Sequence, residues 1–252
     1  MIIDSHCHAG AGFGLTDPWS GRPLLEKYLR RAASAGITHT ALFANFHEDY
    51  TTANRIVAGI VNQNPGRFFG LIYLHAQRDK GRIHAMVQTG VEEYGFVGIK
   101  VHRHDARITR EVCEAAREFA LPVLYDVETE LPIVDRLAEH YPDVPFIIPH
   151  LASFTENWRS QTAFLDQLES HPNIYADSSG VRFFDLLARA VERCGPHKIL
   201  FGSDGPWLHP AVELAKIRAL QLRPEQERLI LAENFLRLTG QTGKWDVEVQ
   251  TA

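Results

Sequence analysis

The opening MIIDSHCH places two histidines two positions apart at the end of an apolar run. Side chains alternate along a strand, so His6 and His8 face one way, with Asp4 below them, and Cys7 faces the other. Two imidazoles on one face can share a metal ion. Two further donors close other apolar runs: His150 after VPFIIP and Asp204 after KILFGS. Neutral nitrogen with carboxylate oxygen suits zinc, and other first-row ions less selectively. Each residue alone reads as a satisfied polar side chain at a strand end. Their joint pattern points to a metal centre.

Other ionisable residues end similar runs. Lys100 and His102 close FVGIKVH, and Arg182 follows SSGV. Lys100 reads as a cation that faces substrate or pairs with a carboxylate. With His102 and Arg182 it gives the strand ends positive character, which would draw an anionic substrate, and Arg forks match carboxylates. Arg103, His104 and Arg107 read as solvated. Asn45, His47 and His75 could line or cover a pocket, whereas His84, His140, His171 and His197 read as surface. The three cysteines are too scattered for a disulfide framework or a CxxC zinc site. Ser203 does not make a GxSxG elbow, because position 201 is Phe. There is no Walker loop or Rossmann fingerprint.

These residues need a scaffold that brings strand ends together. Eight short apolar runs recur: 1–6, 37–44, 68–74, 96–101, 121–126, 144–149, 173–177 and 198–202. Their near-continuous apolarity predicts parallel strands buried on both faces. Helical patterns lie between them at 24–35, 52–62, 109–119, 133–140 and 183–193, and two more follow at 210–220 and 224–238. The repeat is about one βα unit. Eight units with no linker predict an α/β fold, a (β/α)8 TIM barrel forming one domain over residues 1–252. Such barrels carry their sites at the C-terminal strand ends. The candidate site residues His6, His8, Lys100, His102, Asp126, His150, Arg182 and Asp204 fall at these ends or closely follow them.

Composition excludes several classes. At 45% apolar and 23% charged the chain is ordinary globular material, which speaks against disorder, collagen or coiled coil. With 26 basic and 31 acidic residues the net charge is −5, so no nucleic-acid partner is expected. No apolar run approaches the roughly 18 residues of a membrane span. The start has neither a basic nor an apolar signal region, and unpaired thiols suit a reducing cytoplasm. Monomer and homo-oligomer both remain open.

The chain resembles the amidohydrolase superfamily, in its amidohydrolase-2 branch of metal-dependent TIM-barrel hydrolases and decarboxylases. IDSHCH resembles the opening DxHxH, FVGIKVH the fourth-strand motif, and PFIIPHLAS the sixth strand with its histidine. NIYADSSG is similar to the seventh strand, ILFGSDGPW to the closing GSD-x-P, and AENFLRLTG to the final helix. The resemblance implies that His6 and His8 are metal ligands and that Asp204 is a ligand or general base. It places His150 where the branch has its sixth-strand histidine. The fifth strand departs from the pattern. Where the branch commonly has a histidine ligand, this chain has Asp126, which could ligate in its place, favouring a harder ion such as manganese, or pair with Lys100.

The expected function follows. One divalent metal, zinc or manganese, would be held by His6, His8, Asp126, His150 and Asp204. Asp204 and His150 would be catalytic, and Lys100, His102 and Arg182 would bind a small carboxylated substrate. The expected reaction is hydrolysis of an ester, lactone or amide. The alternatives are non-oxidative decarboxylation and a barrel that only binds a metabolite.

Overall fold

The computed structural model describes residues 1–12, 25–154 and 157–244. Its strands are β1 Ile3–Ala9, β2 His39–Ala44, β3 Phe68–Gly70, β4 Ile72–Tyr73, β5 Ile99–His102, β6 Val123–Asp126, β7 Phe146–Ile148, β8 Ile174–Asp177 and β9 Ile199–Leu200. The helices are α1 Leu25–Ser34, α2 Tyr50–Asn62, α3 Ile83–Glu92, α4 Arg110–Glu118, α5 Pro132–His140, α6 Trp158–Ser170, α7 Phe184–Cys194, α8 Pro210–Ala219, α9 Pro224–Arg228 and α10 Asn234–Leu238.

All ladders are parallel, in the orders β1-β2-β3 and β4 through β9. The strands are almost wholly buried, as expected between a packed lumen and a helical shell. β3 and β4 are one stave interrupted at Leu71. Phe68–Gly70 pairs with β2, and Ile72–Tyr73 pairs with β5. Leu71 N still donates to Leu42 O at 2.9 Å, so the wall continues across the break. The two ends of the chain then close the ring. Ser5 N donates to Phe201 O at 2.9 Å, His8 N donates to Gly205 O at 2.6 Å, and Cys7 bridges Gly205 in parallel. The eight expected staves therefore form a closed TIM barrel.

The shell shows why these sequences stop and start where they do. Asp49 caps α2 by accepting from Thr51 N at 3.0 Å, which is worth about 1 kcal/mol. α7 buries Leu186, Leu187, Ala190, Val191 and Cys194 on one face. It stops at Gly195, whose φ of +85° suits glycine, and Pro196 prevents continuation. No helix among the described residues is long and apolar enough to cross a membrane.

Four elements differ from the sequence expectation. α3 and α6 were not legible. α3 contains Gly90, where a Cβ would lie 2.4 Å from Ile72, so the glycine is there for close packing against the wall. α6 buries few apolar residues (Phe164, Leu165 and Leu168) together with the polar Gln161. The expected helix over 224–238 is broken by a π-turn at Leu229–Glu233. There Ile230 O accepts from Phe201 N at 2.9 Å, so the widened turn serves the last stave. The start of the first expected helix, Leu24, lies outside the described residues.

The fourth is β1. Asp4 pairs with Thr40, yet Cys7 pairs with Leu42, so three steps on β1 oppose two on β2. This bulge flips the alternation. Asp4 therefore leaves the histidine face and turns to Tyr28 of α1, whose hydroxyl donates to it at 2.5 Å. Ser203 N (2.8 Å) and Ser203 Oγ also donate to Asp4. Asp4 is a clasp between the first and last staves.

Candidate metal centre

β1 carries His6 and His8 to the mouth, and the segment after β9 carries Asp204. Nε2 of each histidine lies 3.4 Å from the same Asp204 Oδ1. One donor atom from each of the three residues lies within 4.8 Å of the other two, and all three are buried. The other ring nitrogens are already engaged. His6 Nδ1 donates to Asp177 Oδ2 at 2.7 Å, and His8 Nδ1 donates to Ala44 O at 3.2 Å. Both tautomers are thereby fixed with the Nε2 lone pair facing Asp204. That is how a protein prepares metal-ligating histidines.

Charge supports the same reading. Burial lowers both histidines, to about 4 for His8, against the opposing pull of Asp177 on His6 and Asp204 on His8. Burial would raise Asp204, but the neighbouring His8, His6 and His150 hold it below the usual carboxylate range. Two neutral imidazoles and one carboxylate are the protonation states a divalent ion requires. The donor set fits zinc without rearrangement of its supports.

His150 and Asp126 do not join this cluster; they face each other. His150 Nδ1 donates to Ser179 O at 2.7 Å, and its Nε2 lies 3.4 Å from Asp126 Oδ2. A neutral ring with its proton on Nδ1 would turn a lone pair toward that carboxylate. A protonated ring satisfies both contacts. Burial would lower His150, but Asp126, with Asp204 and Asp177 beyond, pushes it up to about 9. His102 completes the arrangement. Its Nδ1 accepts from His104 N at 3.0 Å, so the proton lies on Nε2, which donates to Asp126 Oδ2 at 3.2 Å. His102 and Asp126 are register partners on adjacent strands. The structure thus sets a three-donor cluster beside a His102–Asp126–His150 chain, with the His6 and His150 rings 5.1 Å apart.

Lys100 is fully buried, and its ammonium has no hydrogen-bond partner among the described residues. It lies 5.1 Å over the Phe43 ring and makes no ion pair with Asp126. Burial lowers its pKa against the pull of Asp126, Asp177 and Asp204. Arg182 is exposed and shares none of the contacts that link the other site residues. His75 accepts from Arg78 N at 3.1 Å and so shapes its own turn. Asn45 donates to Gly10 O at 2.7 Å, leaving a buried Oδ1 with no partner among the described residues. Aromatic rings line the walls: Phe43 lies 4.6 Å from His8, Phe46 5.0 Å from His102, and Phe154 5.0 Å from His150.

Two further residues were missed in the sequence. Asp177 ends β8 and holds His6. Its Oδ1 accepts from Ser179 Oγ at 2.5 Å and from His150 N at 3.3 Å. Burial opposes its ionisation, but His6 and His150 hold it well below the usual carboxylate range. Ser179 presents the carbonyl that orients His150. The only available signal was a carboxylate closing the seventh apolar run. Gly202 makes the His6–Asp177 contact sterically possible, since a Cβ there would lie 2.9 Å from His6 Cβ and 3.2 Å from Asp177 Cγ.

The model of a family described as amidohydrolase matches residues 3–239. The chain belongs to the amidohydrolase family. This amidohydrolase is similar in structure to 5-carboxyvanillate decarboxylase from Sphingomonas paucimobilis, with 14% identity, 95% of this chain and 98% of that one covered, and a TM-score of 0.71. It is also similar to a candidate 2-pyrone-4,6-dicarboxylic acid hydrolase from Pseudomonas putida, with 16% identity, 96% and 98% coverage, and a TM-score of 0.72. A TIM-barrel protein from Bordetella bronchiseptica shares 17% identity over 95% and 98% of the two chains, with a TM-score of 0.74. Likeness at these identities shows the fold. No curated protein matches the amidohydrolase's sequence.

Proposed function

We propose that this amidohydrolase is a metal-dependent hydrolase that cleaves an ester, lactone or amide bond in a small carboxylated molecule. The observation that carries this reading is the convergence of His6 Nε2 and His8 Nε2 on one Asp204 oxygen, with both remaining ring nitrogens tied off. His6, His8 and Asp204 would hold one zinc ion, with manganese as the alternative. When bound, the ion supplies Lewis acidity, which acidifies water and polarises a carbonyl.

The chain's own residues supply the rest. Asp204 accepts the proton of the attacking water on its second carboxylate oxygen and passes it to the leaving group. His150, held protonated between Ser179 O and Asp126, shares its Nε2 proton between Asp126 and the developing oxyanion and places its positive charge beside that oxyanion. His102 acts through Asp126, keeping that carboxylate ionised and aimed. Lys100 is the cation available to a substrate carboxylate, because no described residue claims its ammonium. Arg182, at the exposed mouth, is the weaker grip. The aromatic walls exclude bulk water and strengthen each of these contacts.

The test is elemental analysis of the purified protein, followed by a panel of small carboxylated lactones, esters and amides with added zinc or manganese. Metal bound at about one ion per chain together with chelator-sensitive turnover supports the reading. Turnover that survives complete metal removal overturns it.

Decarboxylation is the second reading, and the protonated His150 favours it, since the same acid could protonate carbon. A structural relative carries that activity in its name. Carbon dioxide release from carboxylated substrates, without hydrolysis, would select it.

A further inference from the structure

The structure assigns a positioning role to Glu213 and Lys216, two residues of α8 that make no hydrogen bond or ion pair with the pocket histidines or Asp204. We infer that they fix the tautomer of His6 and the orientation of the protonated His150 ring through the backbone segment 178–181. The inference rests on the reading above, in which His6 is a ligand and His150 a proton carrier.

Lys216 and Glu213 pair at 2.5 Å, with side chains only 17% and 8% exposed. Burying two charges costs several kcal/mol per ion before their attraction is counted, so such a pair is weak as a stabiliser in itself. Its remaining contacts all go to one short segment. Lys216 Nζ donates to Ser178 O at 3.2 Å and to Val181 O at 3.0 Å. Glu213 Oε2 accepts from Gly180 N at 2.9 Å. The three ammonium donors are thereby used up.

That segment carries the groups that orient both rings. Ser179 O receives His150 Nδ1, and Ser179 Oγ donates to Asp177 Oδ1, the carboxylate whose other oxygen receives His6 Nδ1. Ser179 and Gly180 lie between the two backbone groups that Lys216 grips. The segment cannot relax freely, because Gly180 has φ +62° and a Cβ there would lie 2.7 Å from Phe154 and 3.2 Å from His150 Nδ1. The clamp holds a fold in the backbone, and the fold points one carbonyl and one hydroxyl into the site. α8 follows directly on the Asp204 segment, so the pair also ties the segment bearing the carboxylate to the one that orients the rings.

Lys198 supplies an internal control. It is also buried and donates to three carbonyls, of His171, Pro172 and Ile174 at 2.5, 3.1 and 2.9 Å, but these do not lead to the pocket.

The test compares Lys216→Met, Lys216→Arg, Glu213→Gln and Lys198→Met in the full chain. Zinc affinity is measured by chelator competition, the His6 tautomer and the His150 N–H signals by nitrogen NMR at one fixed pH, and stability by melting. Lys216→Met should weaken zinc binding about tenfold or more, the scale seen when a group supporting a ligand is lost, and should mix the His6 tautomers and shift the His150 Nδ1–H signal. Lys216→Arg should recover part of both. Lys198→Met should lower the melting temperature and leave zinc affinity and tautomers unchanged. If Lys216→Met does not fold, Glu213→Gln carries the test, since it keeps an acceptor for Gly180 N and removes only the charge. A lower melting temperature with unchanged tautomers and zinc affinity in the α8 variants overturns the inference. If the native protein takes up no zinc, the metal reading falls, and the tautomer measurement alone decides this one.

Discussion

His6 and Asp177 lie on the first and seventh staves, 171 residues apart in sequence, and are joined by a hydrogen bond of 2.7 Å from Nδ1 to Oδ2. This contact converts a histidine that could ligate through either nitrogen into one that presents only Nε2. Asp177→Asn should weaken zinc binding by about 10- to 100-fold while the barrel stays folded. Chelator competition on the purified variant, with circular dichroism as the folding control, measures this.

The same contact depends on an absent side chain. Gly202→Ala places a methyl group inside the space between His6 and Asp177, and neither neighbour is a flexible tip that can move aside. The expected outcome is loss of metal together with a destabilisation of about 1–3 kcal/mol from overpacking. Metal analysis and urea melts on the variant would show both effects, and a normal zinc content would contradict the geometry.

Metal removal and ligand deletion should agree. His6→Ala leaves two of the three clustered donors, too few to hold zinc, so elemental analysis should show most of the ion lost. Chelation of the native protein should abolish turnover, and added zinc should restore it.

Asp126→Asn separates the two halves of the site. The carboxylate touches His102 and His150 but is not among the three clustered donors. Zinc affinity should change by no more than about twofold, whereas kcat should fall on the order of 10²-fold as His150 loses the anion that keeps it protonated. A tenfold loss of zinc affinity would instead make Asp126 a ligand.

The thiols give a prediction away from the pocket. Cys7, Cys113 and Cys194 are free and buried, and burial pushes the Cys113 thiol up to about 12. None should react with a thiol reagent until the protein unfolds, when all three should. The linked stability change has a definite sign. With the folded pKa raised, the native state binds more protons than the unfolded chain at alkaline pH. Cys113 therefore contributes full stability below about pH 9, which is lost progressively toward pH 12; burial acts on Tyr125 in the same direction, with a pKa of about 12. Urea midpoints measured from pH 8 to 11 should decline.

The barrel and its three clustered donors were legible because both rest on short patterns: recurring apolar runs, an HxH, and an aspartate closing the last run. Asp4 was misplaced because a bulge is a property of two paired strands, and one strand's alternation cannot reveal it. Asp126 was legible as a departure from the resemblance, but its partners belong to neighbouring staves, and only the register shows that it faces His102. Asp177 looked like any buried strand-end carboxylate. Glu213 and Lys216 looked like an ordinary pair one helical turn apart, because their significance lies in carbonyls and an amide that carry no letter in the sequence.

The clasp between Asp4 and Ser203, 199 residues apart, has a kinetic consequence. The ligand cluster draws two donors from the first stave and the third from the segment after the last. Closing a loop of that length is entropically expensive and waits for the intervening units to shorten the path. An ion held there could therefore not nucleate the barrel during synthesis, because Asp204 is among the last parts of the site to be made. Metal uptake would thus be a late event that reports the meeting of the two ends. Nascent chains stopped before residue 204 would display the histidine pair while remaining unable to retain zinc.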